Sequence, residues 1–428
     1  MILFDIVALI IGTYCLYVSI RKIFIGRFSF LHISVIIFYF LQIFPIFVSF
    51  FGNMSKIEYY YKYMYLALTD PLVNIIYDIF LILTVSLLIF FANKSNINMK
   101  NKGSMSISLK MHQKTHYFLI IILQFLSFFP IILAILFSPN PNIYLKFSYF
   151  NTHLVSSINN SYLFHQSIVK PCCLISFFSV IILYFIKRKN KLMLIFPVIL
   201  QAWVNGKRTI FIFTLLSFLI IDFIKFKKFN FNKKQFRLFL LKSIVFFVII
   251  ITYYLVYNKI TGKSNFANPY LLYTVYFSRM CNVKIAIYDL VYTKSMISYP
   301  FQNIIYDLLF FIPRKFWNSK PYGYYPYFTS YVFYGNGGNF ISGYGFQVNI
   351  WSEFITNGNL LGYVMSLVLV IGILKYCDTA PDLFISLLGS AFVFLYMSYG
   401  FENIVQIVYC FFVLLFIINK LKKRFHIV

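Results

Sequence analysis

A chain of 428 residues that is 61% hydrophobic and only 11% charged is too apolar to be a water-soluble globular domain. Its 38 Lys and Arg residues against 11 Asp and Glu give a formal net charge of +27, a balance that by itself would favour nucleic acid or an acidic membrane surface. Basic residues also collect in the cytoplasmic loops of membrane proteins, so we expect an all-α polytopic membrane protein with no nucleic-acid partner.

Long apolar segments follow one another along the chain, with clusters of basic residues between them. The first segment has no basic residue before it and no small-residue cleavage pattern after it, so it is predicted to be a retained span. Arg21, Lys22 and Arg27 follow it and hold that end in the cytoplasm, which leaves the N-terminus outside. Continued alternation places the C-terminus inside and predicts about eleven spans, at residues 2–20, 30–51, 71–92, 117–137, 172–186, 192–204, 209–224, 238–257, 360–376, 383–399 and 404–418.

One segment of about a hundred residues interrupts this series. Residues 258–358 are predicted to form a large outer loop, between residues 1–257 with spans one to eight and residues 359–428 with spans nine to eleven. A smaller outer loop is predicted at residues 138–170. Because the large loop carries several Arg, Lys, Asp and Glu residues, we expect the chemistry of the protein to lie there.

Several kinds of chemistry have no support in the sequence. The chain contains neither a P-loop nor the glycine fingerprint of dinucleotide-binding folds. No His, Cys and carboxylate residues occur at the spacing of metal ligands, and the large loop lacks histidine altogether. We therefore expect no cofactor and no metal.

Lys207 and Arg208 form the first of two candidate cationic sites. They lie in a four-residue hairpin between two short apolar spans, at the depth of lipid head groups. A guanidinium at this depth is suited to bind a phosphate through two parallel hydrogen bonds. The alternative is an interfacial anchor that reaches lipid phosphates.

Arg314, Lys315 and Lys320 form the second candidate site, in a stretch of apolar and aromatic residues with two prolines. This pattern suits cations that face an anionic ligand, or alternatively an amphipathic helix lying on anionic lipids. Arg279 is a weaker candidate, because it has Asp289 and Asp307 as possible ion-pair partners.

Glu353 is the only carboxylate in the last fifty residues of the large loop, and it lies just before the ninth predicted span. It is a candidate general base or sugar-binding group, and its alternative role is that of a salt-bridge partner. Asn349 and Asn357 flank it and are candidate substrate-binding residues.

Three motifs taken together resemble the Wzy family of O-antigen or oligosaccharide repeat-unit polymerases. They are Asn205-Gly206-Lys207-Arg208-Thr209, Ile312-Pro313-Arg314 with Lys320-Pro321, and Glu353 with Asn357-Gly358 and Gly362. The resemblance implies a GT-C-like helical fold in the bacterial inner membrane, with the N-terminus periplasmic, the large loop periplasmic and the C-terminus cytoplasmic.

The resemblance also implies an enzyme that transfers a growing glycan from undecaprenyl diphosphate to another lipid-linked repeat unit. Its partners would be the undecaprenyl-diphosphate-linked donor and acceptor, membrane lipids and a chain-length regulator protein. Arg208, with Arg279 or Arg314, would match arginines that hold the diphosphates. Lys207, Lys315, Lys320, Asn349 and Asn357 would contact the substrate, and Glu353 would activate the acceptor hydroxyl.

Two alternatives stay open. An O-antigen ligase, which attaches the finished glycan to lipid A-core, typically has a histidine in the large outer loop, whereas this loop has none. A flippase or transporter for lipid-linked oligosaccharides should carry ionisable residues within its spans and two matching halves. Here the predicted spans contain few such residues, among them Asp5, Asp78, Asp222 and Lys242.

Overall fold

A computed structural model gives the fold of much of the chain. It describes residues 2–25, 29–52, 55–95, 113–139, 141–145, 160–186, 191–205, 211, 214–222, 233–260, 272–312, 314–340, 345–379, 397–402, 404–406, 408–409 and 416. The chain divides into two compact units, one of Met1–Asn98 with Asn265–Val405 and the other of Met99–Ser264 with Gln406–Val428. All regular secondary structure in these described ranges is helical.

The helices are α1 (Ile2–Ile25), α2 (Phe30–Ser49), α3 (Ser55–Tyr60), α4 (Lys62–Thr69), α5 (Pro71–Lys94), α6 (Gln113–Leu136), α7 (Pro141–Leu145), α8 (Asn160–Ile186), α9 (Ile195–Asn205), α10 (Lys233–Ile260), α11 (Met280–Tyr288), α12 (Gln302–Leu308), α13 (Tyr324–Tyr334) and α14 (Ile350–Thr379). Within the described residues, α1, α2, α5 and α14 are long and apolar enough to cross a membrane. The prediction of a helical membrane protein is confirmed at this level, whereas the count of eleven spans and the GT-C-like fold stay predictions.

Two features of the predicted loops differ from the structure. Helix α8 begins at Asn160, so its first turns occupy part of the outer loop predicted at 138–170. The segment predicted as the large loop packs into the first unit, and every residue from Met280 to Ile287 is buried. Helix α11 lies against α4, α5 and α14 and is part of the core of that unit.

Helix α1 shows how the spanning helices pack. One stripe is buried and consists mostly of small residues at spacings of three and four, namely Asp5, Ala8, Gly12, Cys15 and Ser19. Small residues let helices approach closely, and a Cβ at Gly12 would lie 2.7 Å from Cδ1 of Ile43 in α2. The opposite face exposes Leu3 and Phe24, by 73% and 70%, as expected of a surface that contacts lipid.

Polar contacts fix the relative direction of the spanning helices in the first unit. Asp5 near the start of α1 contacts Asp78 in the first half of α5. The hydroxyl groups of Thr84 in α5 and Tyr363 in α14 are 3.0 Å apart. Together with the hydrogen bonds that join Asp378, at the end of α14, to Ser29 and Ser95, these contacts show that α1, α5 and α14 begin at the same end of this unit.

The other end of the unit is held together by the carboxylate of Asp378, close to the end of α14. It accepts hydrogen bonds from Ser29 Oγ at 2.5 Å, from the Phe30 amide at 2.8 Å and from Ser95 Oγ at 2.7 Å. Because Ser29 precedes α2 and Ser95 follows α5, α2 runs opposite to α1, α5 and α14. Which end faces the cytoplasm stays a prediction.

A π-helical turn at Tyr39–Ile43 in the middle of α2 presents backbone carbonyls to neighbouring segments. The Phe40 carbonyl accepts from the Tyr273 hydroxyl at 2.5 Å, and the Leu41 carbonyl accepts from the Arg279 amide at 2.8 Å. The Gln42 carbonyl accepts from the Tyr77 hydroxyl at 2.8 Å. The wide turn thus anchors the chain just before α11.

In the second unit, α6, α8 and α9 pack around an apolar core that includes Ile131, Cys173 and Val204. His165 of α8 lies 3.0 Å from the Tyr144 hydroxyl and 3.1 Å from the Leu133 carbonyl, so its ring joins α8 to the segments before it. An ion pair between Asp222 and Lys242 of α10 is supplemented by a hydrogen bond from Tyr184.

We predict that Asp378→Ala lowers the stability of the protein, because two hydroxyls and one amide would lose a buried acceptor. Each such loss costs about 1–3 kcal/mol. The matched control is Thr379→Ala, which removes an exposed hydroxyl bonded only to carbonyls of its own helix. The measurement is the fraction of detergent-purified protein that stays monodisperse after heating. Equal losses in the two variants would contradict the role given to Asp378.

Candidate active site

The first turn of α14 carries the predicted catalytic residue, Glu353. Asn349 caps this helix, since its Oδ1 accepts from the Ser352 amide at 2.8 Å while its backbone carbonyl accepts from Ser352 Oγ at 2.9 Å. The amide dipoles at a helix N-terminus favour a negative charge, so Glu353 lies where α14 best tolerates one.

Glu353 is fully buried and lies against a second carboxyl group, that of Asp307 in α12. Its Oε2 accepts from the Phe401 amide at 2.6 Å. Among the described residues, no donor reaches Glu353 Oε1 or either carboxyl oxygen of Asp307. Two carboxyl groups in contact can form a hydrogen bond only if one of them carries a proton.

The surroundings keep that proton on the pair. Burial is the largest cause that raises the pKa of Asp307, and the negative charge of Glu353 and the hydrogen bond to it raise that pKa further. The charge of Glu402 acts in the same direction. The pair therefore binds one proton at a pH where an exposed aspartate is ionised.

Glu402 is the third member of this acidic cluster, which we define as Asp307, Glu353 and Glu402. It is half-buried, so it is more accessible than the buried pair on which its charge acts. Two glycines make room for the carboxylates. A Cβ at Gly323 would overlap the Glu402 carboxylate, and a Cβ at Gly400 would lie 2.7 Å from Glu353 Oε2.

Residues 314–320 form a cationic turn beside the cluster. Arg314 is exposed, and its guanidinium donates from Nη1 to the Lys320 carbonyl at 2.6 Å and from Nη2 to the Pro321 carbonyl at 3.0 Å. Its Cζ lies 4.2 Å from the centre of the Tyr322 ring. The guanidinium is thus held in place, and its remaining N–H groups have no acceptor among the described residues.

Lys320 connects the cationic turn to the acidic cluster. It is buried, and its Nζ donates to the carbonyls of Phe310 and Ile312, both at 2.7 Å. Nζ also lies 5.0 Å from the centre of the Tyr306 ring. Burial and the nearby Arg314 lower the pKa of Lys320, whereas the charge of Glu402 raises it. The side chain therefore stabilises the turn from inside, and its contact with a substrate stays a prediction.

Arg279 lies in another part of the first unit and is 4% exposed. It donates from Nη2 to Gln347 Oε1 at 2.6 Å and from Nε to the Ser398 carbonyl at 3.0 Å. The proposed pairing with Asp289 is not found, because Asp289 Oδ1 accepts from Thr293, Ser295 and Met296 instead. Burial lowers the pKa of Arg279 to about 10, so the guanidinium stays charged at neutral pH and ties together the segments at 347 and 398.

The other predicted substrate contacts divide into three groups. Lys315 is exposed beside Phe316, which is itself 80% exposed, as expected of a surface at the membrane interface. Asn357 is buried, and its Oδ1 accepts from the Asn303 amide at 3.1 Å, so it supports the first turn of α12. Lys207 and Arg208 lie outside the described residues.

Two members of the acidic cluster are not among the site residues predicted from the sequence. Asp307 is predicted there only as a possible ion-pair partner of Arg279. Glu402 lies in the short turn between the last two predicted spans, and a lone carboxylate in such a turn was the available signal. Its significance depends on the fold, which brings residues 398–402 against Arg279, Gly323 and Glu353.

No family model matches the chain, and no curated protein and no solved structure matches it either. The function is therefore inferred from the side chains of the site.

We predict that Gly400→Ala destabilises the site, since the added methyl would displace the Glu353 carboxylate and also Val348, whose Cγ2 would lie only 2.8 Å from the new Cβ. Overpacking of this kind costs about 1–3 kcal/mol. In Gly372→Ala, in the interior of α14, the methyl meets no atom within 4 Å, so stability should be unchanged or slightly higher. Thermal unfolding of both variants in detergent provides the comparison, and a stable Gly400→Ala protein would show that the contact is absent.

We also predict that Asp307→Asn makes thermal stability less dependent on pH. The pKa of Asp307 is higher in the folded chain than its ordinary value of 3.8, so its stabilising contribution is full below that value. The contribution is lost as the pH rises through the folded-state pKa. It amounts to roughly 1.4 kcal/mol for each pH unit by which the folded-state pKa exceeds the ordinary one. Unfolding midpoints across a pH series should therefore fall less steeply towards alkaline pH in Asp307→Asn. Parallel curves for the two proteins would rule out a raised pKa.

Proposed function

We propose that the protein is a glycosyltransferase-type polymerase of the inner membrane that joins undecaprenyl-diphosphate-linked oligosaccharide repeat units on the periplasmic face. The observation that carries this proposal is the position of Arg314. It is an exposed, pre-positioned guanidinium with unused donors, next to a cluster of three carboxyl groups.

Arg314 is suited to the diphosphate of the donor. Two backbone carbonyls and the Tyr322 ring fix its orientation, so little conformational freedom is lost when it binds an oxyanion. The diphosphate leaves with a negative charge, and a fixed cation stabilises that charge as it develops. Arg208, from the hairpin outside the described residues, is proposed as the second diphosphate ligand.

The acidic cluster is suited to the acceptor. Glu353 is fully buried, so we assign contact with the acceptor hydroxyl to the half-buried Glu402, with Glu353 and Asp307 behind it. In the proposed step the hydroxyl oxygen bonds to the anomeric carbon of the donor sugar and its proton moves to Glu402. The bond from that carbon to the diphosphate oxygen breaks, and the diphosphate takes the electron pair.

A transporter of lipid-linked oligosaccharides is the second candidate. It is favoured by the burial of Asp5, Asp78 and Lys284 among α1, α5 and α11, because ionisable groups within a helix bundle commonly mark a transport pathway. An O-antigen ligase would use the same glycosyl transfer from a lipid diphosphate on the outer face. The acidic cluster does not favour a ligase over a polymerase.

We predict that Arg314→Ala and Glu402→Gln each reduce chain elongation by about 10²–10³-fold, since each removes a group that acts in the transition state. Glu353→Gln and Arg208→Ala should also reduce chain elongation. The measurement is the length of surface glycan on a lipid gel, where these variants should give bands of a single repeat unit. Protein amount in the membrane is measured in parallel.

Lys62→Ala and Glu58→Gln are matched controls, because both residues lie away from the cluster in sequence and Lys62 is exposed. Both should give normal long-chain ladders. If the site variants lose the single-unit band in addition to the long chains, the protein is a transporter. If glycan is made in these variants but is not attached to lipid A-core, the protein is a ligase. Normal ladders from Arg314→Ala and Glu402→Gln would refute the proposed polymerase site.

A further inference from the structure

A second pair of carboxyl groups is buried between spanning helices of the first unit. Asp5 of α1 is 7% exposed and Asp78 of α5 is fully buried. The two carboxyl groups are in hydrogen-bonding contact with each other. Since Asp78 is the eighth residue of α5, the pair lies about 10 Å along that helix from its start.

Lys284 and the N-terminal amino group act on this pair as positive charges. Lys284 of α11 is 6% exposed and interacts electrostatically with both aspartates. Its Nζ donates to Asn74 Oδ1 at 2.5 Å and lies 5.0 Å from the centre of the Tyr77 ring. The ammonium group is thus held by α5 while its charge acts on the two carboxyl groups.

The carboxyl pair has too few donors for two negative charges. Among the described residues, no donor reaches either oxygen of Asp78. Two ionised carboxylates in contact would repel each other in a medium without water, whereas one shared proton turns the contact into a hydrogen bond. With one proton on the pair and the ammonium charged, the net charge of the three side chains is zero.

Asp378 provides a contrast within the same unit. It is also buried, but it accepts from two hydroxyls and one backbone amide, so it can be ionised without a partner acid. The difference lies in the donors that the fold supplies.

We propose that Asp5 and Asp78 form a proton-binding site, in which the two carboxyl groups share one exchangeable proton beside Lys284. The ligand that we propose is a proton, since a proton needs no more than the two carboxyl groups and one positive charge beside them. The ammonium of Lys284 supplies the positive charge that a bound cation would otherwise bring. This site is separate from the acidic cluster and does not depend on the polymerase proposal.

The test is infrared spectroscopy of the purified full-length protein at pH 7, in H₂O and D₂O. A protonated carboxyl group has a carbonyl band apart from those of amides and carboxylates, and this band shifts in D₂O if the proton exchanges. We expect Asp5→Asn and Asp78→Asn each to remove one carboxyl equivalent from this band. In either variant the asparagine amide donates to the remaining carboxylate, which is then ionised beside Lys284.

Because one proton is shared, the double variant Asp5→Asn with Asp78→Asn should lose no more intensity than either single variant. Glu58→Gln, at a carboxylate distant in sequence from both aspartates, should leave the band unchanged. Asp307→Asn should remove a separate equivalent that belongs to the other pair. Unchanged intensity in both single variants, or losses that add in the double variant, would overturn the shared proton.

A second measurement avoids any dependence on the folding of the Asp5 and Asp78 variants. Asp307→Asn protein is produced with aspartate that carries ¹³C in the side-chain carboxyl group. We expect an aspartate band of protonated carboxyl to remain and to shift with the isotope. Absence of such a band would show that both aspartates are ionised and would overturn the proposal.

Discussion

Buried carboxyl groups in the first unit obey one constraint: without water, a negative charge needs hydrogen-bond donors, and where donors are lacking a proton takes their place. Asp378 has three donors and joins three segments of chain at one end of the unit. Asp307 and Asp78 have none among the described residues, and each lies against a second carboxyl group. The same residue type therefore serves as a structural acceptor in one place and as a holder of protons in two others.

Both proton-holding pairs lie towards the end of the unit where α1, α5 and α14 begin. The segment at 272–340 covers this end and supplies Lys284 to one pair and Asp307 to the other. Hydrogen bonds hold this segment in place. Carbonyls of α2 accept from the Tyr273 hydroxyl and the Arg279 amide, and the Asn357 carbonyl accepts from an amide in the loop before α12. The candidate site is therefore packed against the spanning helices, whereas the sequence predicts an external loop there.

The sequence was sufficient for the helical, membrane-embedded character and for the first three spans, since apolar length alone determines them. It placed the start of span nine next to Asn359, which interrupts α14 with a φ of 53°, but it assigned the helical residues 350–358 to the loop. It could not indicate that α11 is buried, because Asn282 and Lys284 are typical of a loop until Asn74 and Gln347 provide their partners. Likewise the inward direction of Lys320 depends on carbonyls that only the folded turn brings together.

The π-helical turn of α2 contains one residue more than an α-helical turn needs, as if a single amino acid had been inserted there. Removing any one residue from Tyr39–Ile43 would restore regular winding and rotate the two halves of the helix by about 100° relative to each other. The small-residue contact between Gly12 and Ile43 and the acceptors for Tyr77, Tyr273 and Arg279 could not then all be kept. In descendants of this sequence, the length of α2 should therefore tolerate less change than its amino-acid identity.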